Sequence, residues 1–532
     1  MSALTGTGHL IRFILRRDRV RMTVWTLSLS GMLAMTVPTL AEMFAEPEQR
    51  MARAAVMETP TGVVFGGPGY GLDDYGLGAM VANEMTMSLL VALAVMSVLH
   101  VVRHTRAEEE SGRAELLRAN VLGSGAQMTA ALATNALVCG VIGALLTLVM
   151  VANGLTAADS VAFGGGIALA GITFGAITAV CAQVSEHARG ASGLAFLVVG
   201  VLFTFRVVGD IAERGGSAPS WFSPFAWAQQ TRMFDDLRWW PLVLYALVIA
   251  VLFAVAYSLA GRRDLGAGLV SARPGPAGAS PLLNGVLALH LRQQRTSIIA
   301  WTTAVALFAL SFGTLISEID VMVEQNPELL GRMGLDAENM ANGFLGMLVL
   351  YVVMAAVAFA VLSVLRTRAE ENAGRAELTL AAAVGRIRWM GTAVLVSALA
   401  ATLMLLLGGL AMGLGAGLAT EDADWIRTVA GAAAAQVPVV LLFVGLTTLL
   451  LGIAPRLVGL VWAWYGYGLV VAVFGILMDL PDWMLDAGPF QILSQLPAEE
   501  FDAAPFALVL VAAAAATTVG LGGFRRRDLV SV

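Results

Sequence analysis

Residues 106–116 read Arg-Ala-Glu-Glu-Glu-Ser-Gly-Arg-Ala-Glu-Leu, and residues 368–378 read Arg-Ala-Glu-Glu-Asn-Ala-Gly-Arg-Ala-Glu-Leu. The two stretches differ at two of eleven positions, and each follows a long apolar segment. Only 13% of the chain is charged, so two dense runs of charge in nearly the same order are not expected by chance. The repeat predicts a duplicated protein in which one charged, helical segment serves both halves.

The composition is that of a protein embedded in a membrane. Hydrophobic residues make up 58% of the 532 positions, and the mean hydropathy is +0.79. Soluble domains average about 25% charged residues, which is well above the share in this chain. Because lipid offers no hydrogen bonds to the backbone, such a chain crosses the bilayer as helices. The sequence therefore predicts an all-α polytopic membrane protein with about twelve spans of ~20 residues.

The spans fall into two tandem repeats of six. We expect a first half at residues 1–271, a linker rich in proline, glycine and alanine at 272–281, and a second half at 282–532. Since six is even, both halves enter the membrane in the same direction, as in transporters with parallel repeats. The predicted spans are 22–43, 83–102, 126–151, 161–183, 191–208, 239–260, 297–316, 343–365, 389–418, 428–453, 457–478 and 505–524.

Shorter repeated signals support this division. Basic amphipathic runs precede Trp25 and Trp301, and they are predicted to form elbow helices at the membrane interface, the first at residues 10–21. Each half closes with Arg-Arg-Asp-Leu, at residues 262–265 and 526–529.

The placement of arginine predicts the orientation. Most of the 32 arginines lie on one side of the predicted membrane, together with both termini and both repeated charged segments. Because cytoplasmic loops are enriched in basic residues, this side is predicted to be cytoplasmic. The long stretches 44–82 and 317–342 are then outside the cell, where helices near 48–57 and 328–340 are expected to form a cap.

The sequence offers no sign of catalysis. All 32 basic residues are arginine, so the chain has no Walker A lysine to hold the phosphates of ATP. Cys139 and Cys181 lie in apolar segments and predict neither a disulfide framework nor a zinc site. The five histidines show no metal-ligand spacing, and no nucleophile pattern is present. We therefore expect no enzyme activity, no catalytic residue, no metal and no cofactor in this chain.

Several polar residues lie inside predicted spans. Arg206 would cost at least ~2.5–3.5 kcal/mol at the centre of a span, but Asp210 follows one turn later and can pair with it near the outer boundary. This pair is interpreted as a structural ion pair or, alternatively, as part of a gate. In the second half Asp479 matches Asp210. Three amides are predicted to form interhelical hydrogen bonds or, alternatively, to line the substrate path: Asn135, Gln183 and Gln436.

Together these features resemble one family of transporters. They are similar to features of bacterial ABC exporter permeases. The similar features are the run Arg-x-Glu-Glu-x-x-Gly-Arg-x-Glu-Leu after spans two and eight, the basic segment before span one, the pair of Arg206 and Asp210, and the repeated Arg-Arg-Asp-Leu closures. The type is the polyketide-antibiotic and multidrug exporter, in which two six-span halves are fused. The resemblance covers essentially the whole chain. It implies a multi-pass protein of the bacterial cytoplasmic membrane that exports hydrophobic or amphipathic drugs, antibiotics or lipids.

The same resemblance implies the partners. In that family a separate cytosolic ATPase binds ATP and Mg²⁺, pairs as a dimer and docks on a coupling helix between spans two and three of each half. Two ATPase copies, membrane lipid and a hydrophobic small molecule are therefore the expected partners, and no nucleic acid. By position, the ATPase-docking residues are Arg106, Glu108, Glu109, Gly112, Arg113 and Glu115 in the first half and Arg368, Glu370, Glu371, Gly374, Arg375 and Glu377 in the second.

Two other classes remain open on the sequence. A proton-driven secondary transporter of the major-facilitator kind also has twelve spans in two parallel halves and charged loops after spans two and eight. Against it, the loops lack an Asp-Arg-x-Gly-Arg-Arg-like run, the first outer loop is long, and no lone mid-span carboxylate indicates a proton relay. A membrane scaffold or lipid-handling enzyme is the third class, and it lacks a catalytic constellation.

Overall fold

The computed structural model describes residues 2–118, 122–264, 266–270, 283–317, 337–474 and 481–528, together with positions 278, 280 and 281. The chain divides into two compact units, Met1–Gly275 and Pro276–Val532. Within the described ranges the regular structure is helical, and the β-type contact found there is an isolated bridge between Ser185 and Val270. The chain is an all-α membrane protein, as its composition predicts.

The first unit contains six helices that are long and apolar enough to cross a membrane, namely α2, α5, α8, α9, α10 and α12. Shorter helices join them at both ends. The helices of this unit are α1 (Thr7–Arg17), α2 (Arg19–Met43), α3 (Pro47–Glu58), α4 (Pro60–Gly66), α5 (Leu77–His104), α6 (Arg106–Glu110), α7 (Arg113–Arg118), α8 (Ala126–Ala152), α9 (Ala157–Val184), α10 (Ala188–Ala212), α11 (Pro224–Gln229) and α12 (Trp240–Ala260), with a 3-10 turn at Ala218–Phe222.

The second unit repeats this plan within its described residues. Its helices are α13 (Val286–Gly313), α14 (Ala337–Asn372), α15 (Arg375–Leu380), α16 (Arg386–Thr420), α17 (Asp424–Ala435), α18 (Val437–Ile453), α19 (Gly459–Phe474), α20 (Asp482–Asp486) and α21 (Ala503–Arg526). Five segments of this unit reach membrane length, which brings the total for the described chain to 11. The predicted span 457–478 begins as α19, and its last residues lie outside the described part.

Two of the departures from the predicted spans bear on the argument. Helix α14 continues to Asn372, so Arg368 lies on the end of a span rather than in the loop that follows it. The predicted span 428–453 is interrupted at Gln436, between α17 and α18. Pro438 has no N–H to donate to the preceding turn, and it suits the first turn of a new helix, so the chain restarts there.

The first unit has two chemically different ends. The charged end carries α1, the turn between α6 and α7, and Arg263. The cap end carries α3, α4 and α11. Between them α5 and α9 form the buried centre, where Leu93 and Phe174 are fully enclosed. Helices α8 and α9 cross closely, because a Cβ on Gly164 would lie 2.2 Å from the backbone oxygen of Gly143. Small residues are needed at such a crossing.

The predicted elbow helix is present in the first unit. Helix α1 packs Leu10 and Ile14 against the start of α8 and ends at Asp18, where the chain turns into α2. In the second unit the matching run, which contains Gln294, lies within the continuous helix α13. At the corner the Asp18 carboxylate pairs with Arg103 and His104 of α5, whereas the matching Gln294 accepts a hydrogen bond from Ser363 of α14.

Candidate functional site

The first repeated segment forms a helix, a tight turn and a second helix at the charged end. Helix α6 ends at Glu110, and α7 starts at Arg113. Between them Gly112 has φ of 73°, a left-handed conformation that side chains with a Cβ disfavour. No atom would touch a Cβ at this position, so the glycine is required by the backbone and not by space. Gly374 forms the same turn in the second unit, with φ of 69°.

Arg106 is the anchor of this segment. Its side chain is fully buried, and its guanidinium donates two hydrogen bonds to the carbonyl oxygen of Ala182, at 3.0 and 2.6 Å. It also donates to the carbonyl of Ala267 at 3.1 Å and to Glu109 at 2.9 Å. These bonds fasten the segment to the end of α9 and to the chain that follows α12.

Glu109 completes the attachment. Arg263 donates to both of its carboxylate oxygens, at 2.8 and 2.9 Å, and to the amide oxygen of Gln183 at 2.7 Å. The side chains of Arg263 and Glu109 are both nearly enclosed, so water screens this pair little. Arg263 is the second arginine of the Arg-Arg-Asp-Leu closure, and its pairing explains why the closure and the charged segment recur together.

The second unit builds the same attachment. Arg527, the second arginine of its closure, donates to Glu371 at 2.6 Å, and Arg368 donates to the carbonyl of Pro455 at the end of α18. Glu109 and Glu371 occupy the same position of the repeated segment. We call these two ion pairs, Arg263 with Glu109 and Arg527 with Glu371, the clasps.

The outward side of each turn carries the remaining charges. Glu370 and Arg375 pair across the turn at 2.8 and 2.9 Å, and the equivalent Glu108 and Arg113 approach to 4.0 Å. Glu109 and Arg113 are four residues apart, a spacing that would pair them in a continuous helix, but the turn at Gly112 separates the two side chains and they form no ion pair. Glu108 instead pairs with Arg17 of the elbow helix at 2.5 Å.

The predicted docking residues therefore differ in how far they are buried. Those held inside the unit are Arg106, Glu108 and Glu109 in the first unit and Glu371 in the second. Arg368 and Glu370 are partly buried, and Gly112 and Gly374 form the turns. Four charged side chains remain exposed at the surface of the turns: Arg113, Glu115, Arg375 and Glu377. Leu378 lies beside them with 78% of its surface exposed.

Arg206 and Asp210 lie at the cap end. They form an ion pair at 2.7 Å in which both side chains are fully buried. Arg206 also donates to the carbonyls of Val63 and Val64 at the end of α4, and Asp210 accepts from Ser220 at 2.6 Å. The pair is enclosed within the unit, where α4 packs against it. Its contacts fasten α4 to α10. The matching Asp479 lies outside the described residues.

The three amides have different surroundings. Gln183 accepts from Arg263 and donates to Ala179 at 2.9 Å, so it belongs to the first clasp. Gln436 donates to the carbonyl of Ser494 at 3.1 Å. Asn135 donates to the carbonyl of Gly171 at 3.3 Å and lines a cavity of about 360 Å³ between α2, α5 and α8.

Comparison with known proteins decides the family. A family model described as "Multidrug efflux system permease Rv1217c, C-terminal domain" matches residues 283–525. The chain is 36% identical over 535 residues to the multidrug efflux system permease protein Rv1217c of Mycobacterium tuberculosis (strain ATCC 25618 / H37Rv), with 99% of this chain and 96% of that protein covered. The chain belongs to this family of multidrug efflux permeases. The resemblance to the permease of a multidrug exporter is confirmed.

This multidrug efflux permease also contains a buried polar cluster that sequence reasoning missed. Asp18, His100 and His104 present ligand atoms within 4.8 Å of one another. The two histidines are four residues apart, a spacing that places them on one face of α5 and could have been recognised. Asp18 bonds His104 at 2.8 Å and Arg103 at 3.0 Å. Two imidazoles and a carboxylate are a donor set that suits Zn²⁺, but the guanidinium beside Asp18 already matches its charge.

The Asp18 carboxylate is ionised in this setting. Burial alone would raise its pKa, but the hydrogen bonds and charges of His104 and Arg103 outweigh burial and hold the pKa below its ordinary value. The cluster is therefore an ion-pair network that fixes the corner between α1 and α2 against α5 of the permease.

Proposed function

We propose that this permease is the complete transmembrane part of an ATP-driven exporter of the ABC type. The observation that carries the proposal is the exposed charged turn, which recurs in both units with the same glycine and the same clasp. A loop that only connects two spans needs no such order of charges. The proposed partners are two copies of a cytosolic ABC ATPase that hold ATP and Mg²⁺. The charged ends and both termini then face the cytoplasm, in a bacterial cytoplasmic membrane.

The clasps provide a route for the motion. When ATP draws the two ATPase subunits together, each turn is displaced with the subunit that it contacts. In the first unit the turn is tied to the end of α9 through Arg106 and to the end of α12 through Arg263. In the second unit Arg368 and Arg527 tie it to α18 and α21. The displacement therefore reaches several spans as a rigid movement, which is how such elements switch access between the two sides.

The proposed cargo is a hydrophobic or amphipathic compound. Away from their ends the spans offer few charges to a cargo, since those of Arg206 and Asp210 are matched within the fold. Gln183 and Gln436 also bond within the chain, so neither is proposed to contact the cargo.

A proton-driven exporter is the second candidate, and one observation favours it. Asp18 and His104 form a buried acid and base pair at 2.8 Å beside a cavity, an arrangement that can hold and release a proton. In this reading the exposed turns would have no ATPase to bind. The two candidates therefore differ in what happens when the turns are changed.

The test is reversal of charge on the turns. We expect Glu115→Arg combined with Glu377→Arg to weaken co-purification with a co-expressed cytosolic ABC ATPase by about tenfold or more, since each reversal replaces an attraction with a repulsion. Asp264→Arg combined with Asp528→Arg is the matched control. These residues are also acidic, exposed and placed at the charged ends, and they lie off the turns.

The outcomes separate the candidates. Loss of the ATPase from the Glu115 and Glu377 variant alone supports docking on the turns. If no ATPase co-purifies with the native chain, or if both double variants retain it equally, the turns are not the docking surface. Thermal unfolding of each variant checks that the fold is retained.

A further inference from the structure

The cavity between α2, α5 and α8 is lined by polar and apolar side chains and lies apart from the clasps and the cap end. Its volume of about 360 Å³ lies within the range of drug-sized ligand sites. Apolar side chains of Trp25, Met96 and Leu99 line it, and so do two cations, Arg21 and Arg103. A site with this lining suits a molecule that has both an apolar body and a polar head.

Asn135 supplies an independent observation. Its side chain is 1% exposed and lines the cavity, and its amide nitrogen is satisfied by the carbonyl of Gly171. Its amide oxygen accepts no hydrogen bond from the described residues. Buried acceptors are nearly always paired, because leaving one without a donor is unfavourable. A ligand that places a hydroxyl or an N–H beside Asn135 satisfies this oxygen.

The charges around the cavity favour an anionic head. Asp18 is already matched by His104 at 2.8 Å and by Arg103 at 3.0 Å, so it does not repel an anion strongly. Arg21 is exposed and has no ion-pair partner among the described residues. An acid group between Arg21 and Arg103 receives charge-assisted hydrogen bonds from either guanidinium.

This chemistry is particular to the first unit. The repeat places three uncharged residues at the positions of Arg21, Arg103 and Asn135, and these are Ser297, Leu365 and Ser397. Ser397 is already hydrogen-bonded within its own unit, to Ser363 at 2.6 Å. The two halves share their clasps and differ here, as expected of a site that selects a ligand.

We propose that this cavity binds an amphipathic organic acid as cargo, with at least one hydroxyl or N–H group in its apolar body. The acid group lies at Arg21 and Arg103, the body packs against Trp25 and Met96, and the donor bonds to Asn135. This inference rests on the proposed export function and specifies the class of its cargo.

The test is direct binding to the full chain, purified without any ATPase in nanodiscs of phosphatidylcholine. The probe is 11-(dansylamino)undecanoic acid, which has an acid group, an apolar chain and an N–H, and its methyl ester is the uncharged comparison. We expect the acid to bind more tightly than the ester. Arg21→Gln weakens binding of the acid by about three- to tenfold and leaves the ester unchanged. Asn135→Leu weakens both, since both carry the N–H.

Arg19→Gln is the matched control, because Arg19 is exposed, lies on the same first turn of α2 and does not line the cavity. Equal binding of acid and ester, or equal effects of Arg21→Gln and Arg19→Gln, overturns the proposal. Native mass spectrometry provides a further test. If the native chain retains an anionic phospholipid that the acid does not displace, and Arg21→Gln loses this lipid, the cavity holds lipid and the proposal is overturned. No ATPase takes part, so a failure here is distinct from a failure of ATP-driven export.

Discussion

The clasp of the first unit allows the sharpest quantitative prediction. Arg263→Gln removes a guanidinium that donates to both oxygens of Glu109. Loss of one partner of a buried ion pair costs about 3–5 kcal/mol. Arg106 remains 2.9 Å from the same carboxylate and compensates in part, so we expect the free energy of unfolding to fall by about 2–3 kcal/mol, which is less than the loss of a pair without such compensation.

A double-mutant cycle isolates the pair. We expect Glu109→Gln and Arg263→Gln to be strongly non-additive, with a coupling energy of about 1.5–3 kcal/mol. The assay is unfolding in rising mole fraction of sodium dodecyl sulfate, followed by tryptophan fluorescence. Arg262→Gln is the control, because Arg262 is the exposed neighbour and should change stability by less than about 0.5 kcal/mol. The reasoning is refuted if the coupling energy is below about 0.5 kcal/mol or if Arg262→Gln costs as much as Arg263→Gln.

Two further predictions concern the turns and the cap. Gly112→Ala and Gly374→Ala should each lower the free energy of unfolding in the same assay by about 1 kcal/mol, because alanine disfavours positive φ. An unchanged free energy of unfolding would show that the turn adopts another conformation and would contradict this prediction. Arg206→Gln leaves a buried carboxylate unpaired and should loosen α4, so limited proteolysis within residues 60–76 should accelerate several-fold. Arg214→Gln removes an ion pair with Glu58 at the same end, but this pair is exposed and should contribute little. Equal cleavage of both variants would contradict the argument that the buried Arg206 pair holds α4 in place.

The sequence predicts the spans well because, in lipid, the backbone N–H and C=O groups of an apolar segment can bond only to each other, as they do in a helix. A run of about twenty apolar residues must be helical in the bilayer, whatever its neighbours are. The glycine of each turn could also be predicted, since Gly112 interrupts a run of helix-forming residues. Pro438 marks the break in its span in the same local way.

The partners of the charges could not be predicted, because they depend on contacts that are distant in the chain. Periodicity pairs Glu109 with Arg113, four residues on, whereas the fold pairs it with Arg263. The repeat of Arg-Arg-Asp-Leu was visible in the sequence, but only the fold brings it to the charged segment. The polar cluster was missed for the same reason, since Asp18 reaches His104 only because the chain turns between α1 and α2.

The comparison of the two units separates shared from individual features. Both units have the turn, its glycine and the clasp, which are the parts that the proposed ATPase would contact or move. The elbow corner at Asp18 and the cavity beside it belong to the first unit. This division is what we expect of a duplicated permease in which both halves contact the proposed ATPase in the same way and only the first half binds the ligand.

The most direct test of ATP-driven export is the energy source for transport. Inside-out membrane vesicles that contain the permease and a co-expressed cytosolic ABC ATPase are given either ATP in the external medium or an imposed proton gradient, and uptake of fluorescent acidic, neutral and cationic amphipaths is followed. ATP-driven export predicts uptake that requires ATP, persists when a protonophore collapses the gradient and is lost when the turns carry Glu115→Arg and Glu377→Arg. Uptake that follows the proton gradient without ATP, and is indifferent to the turns, would contradict it.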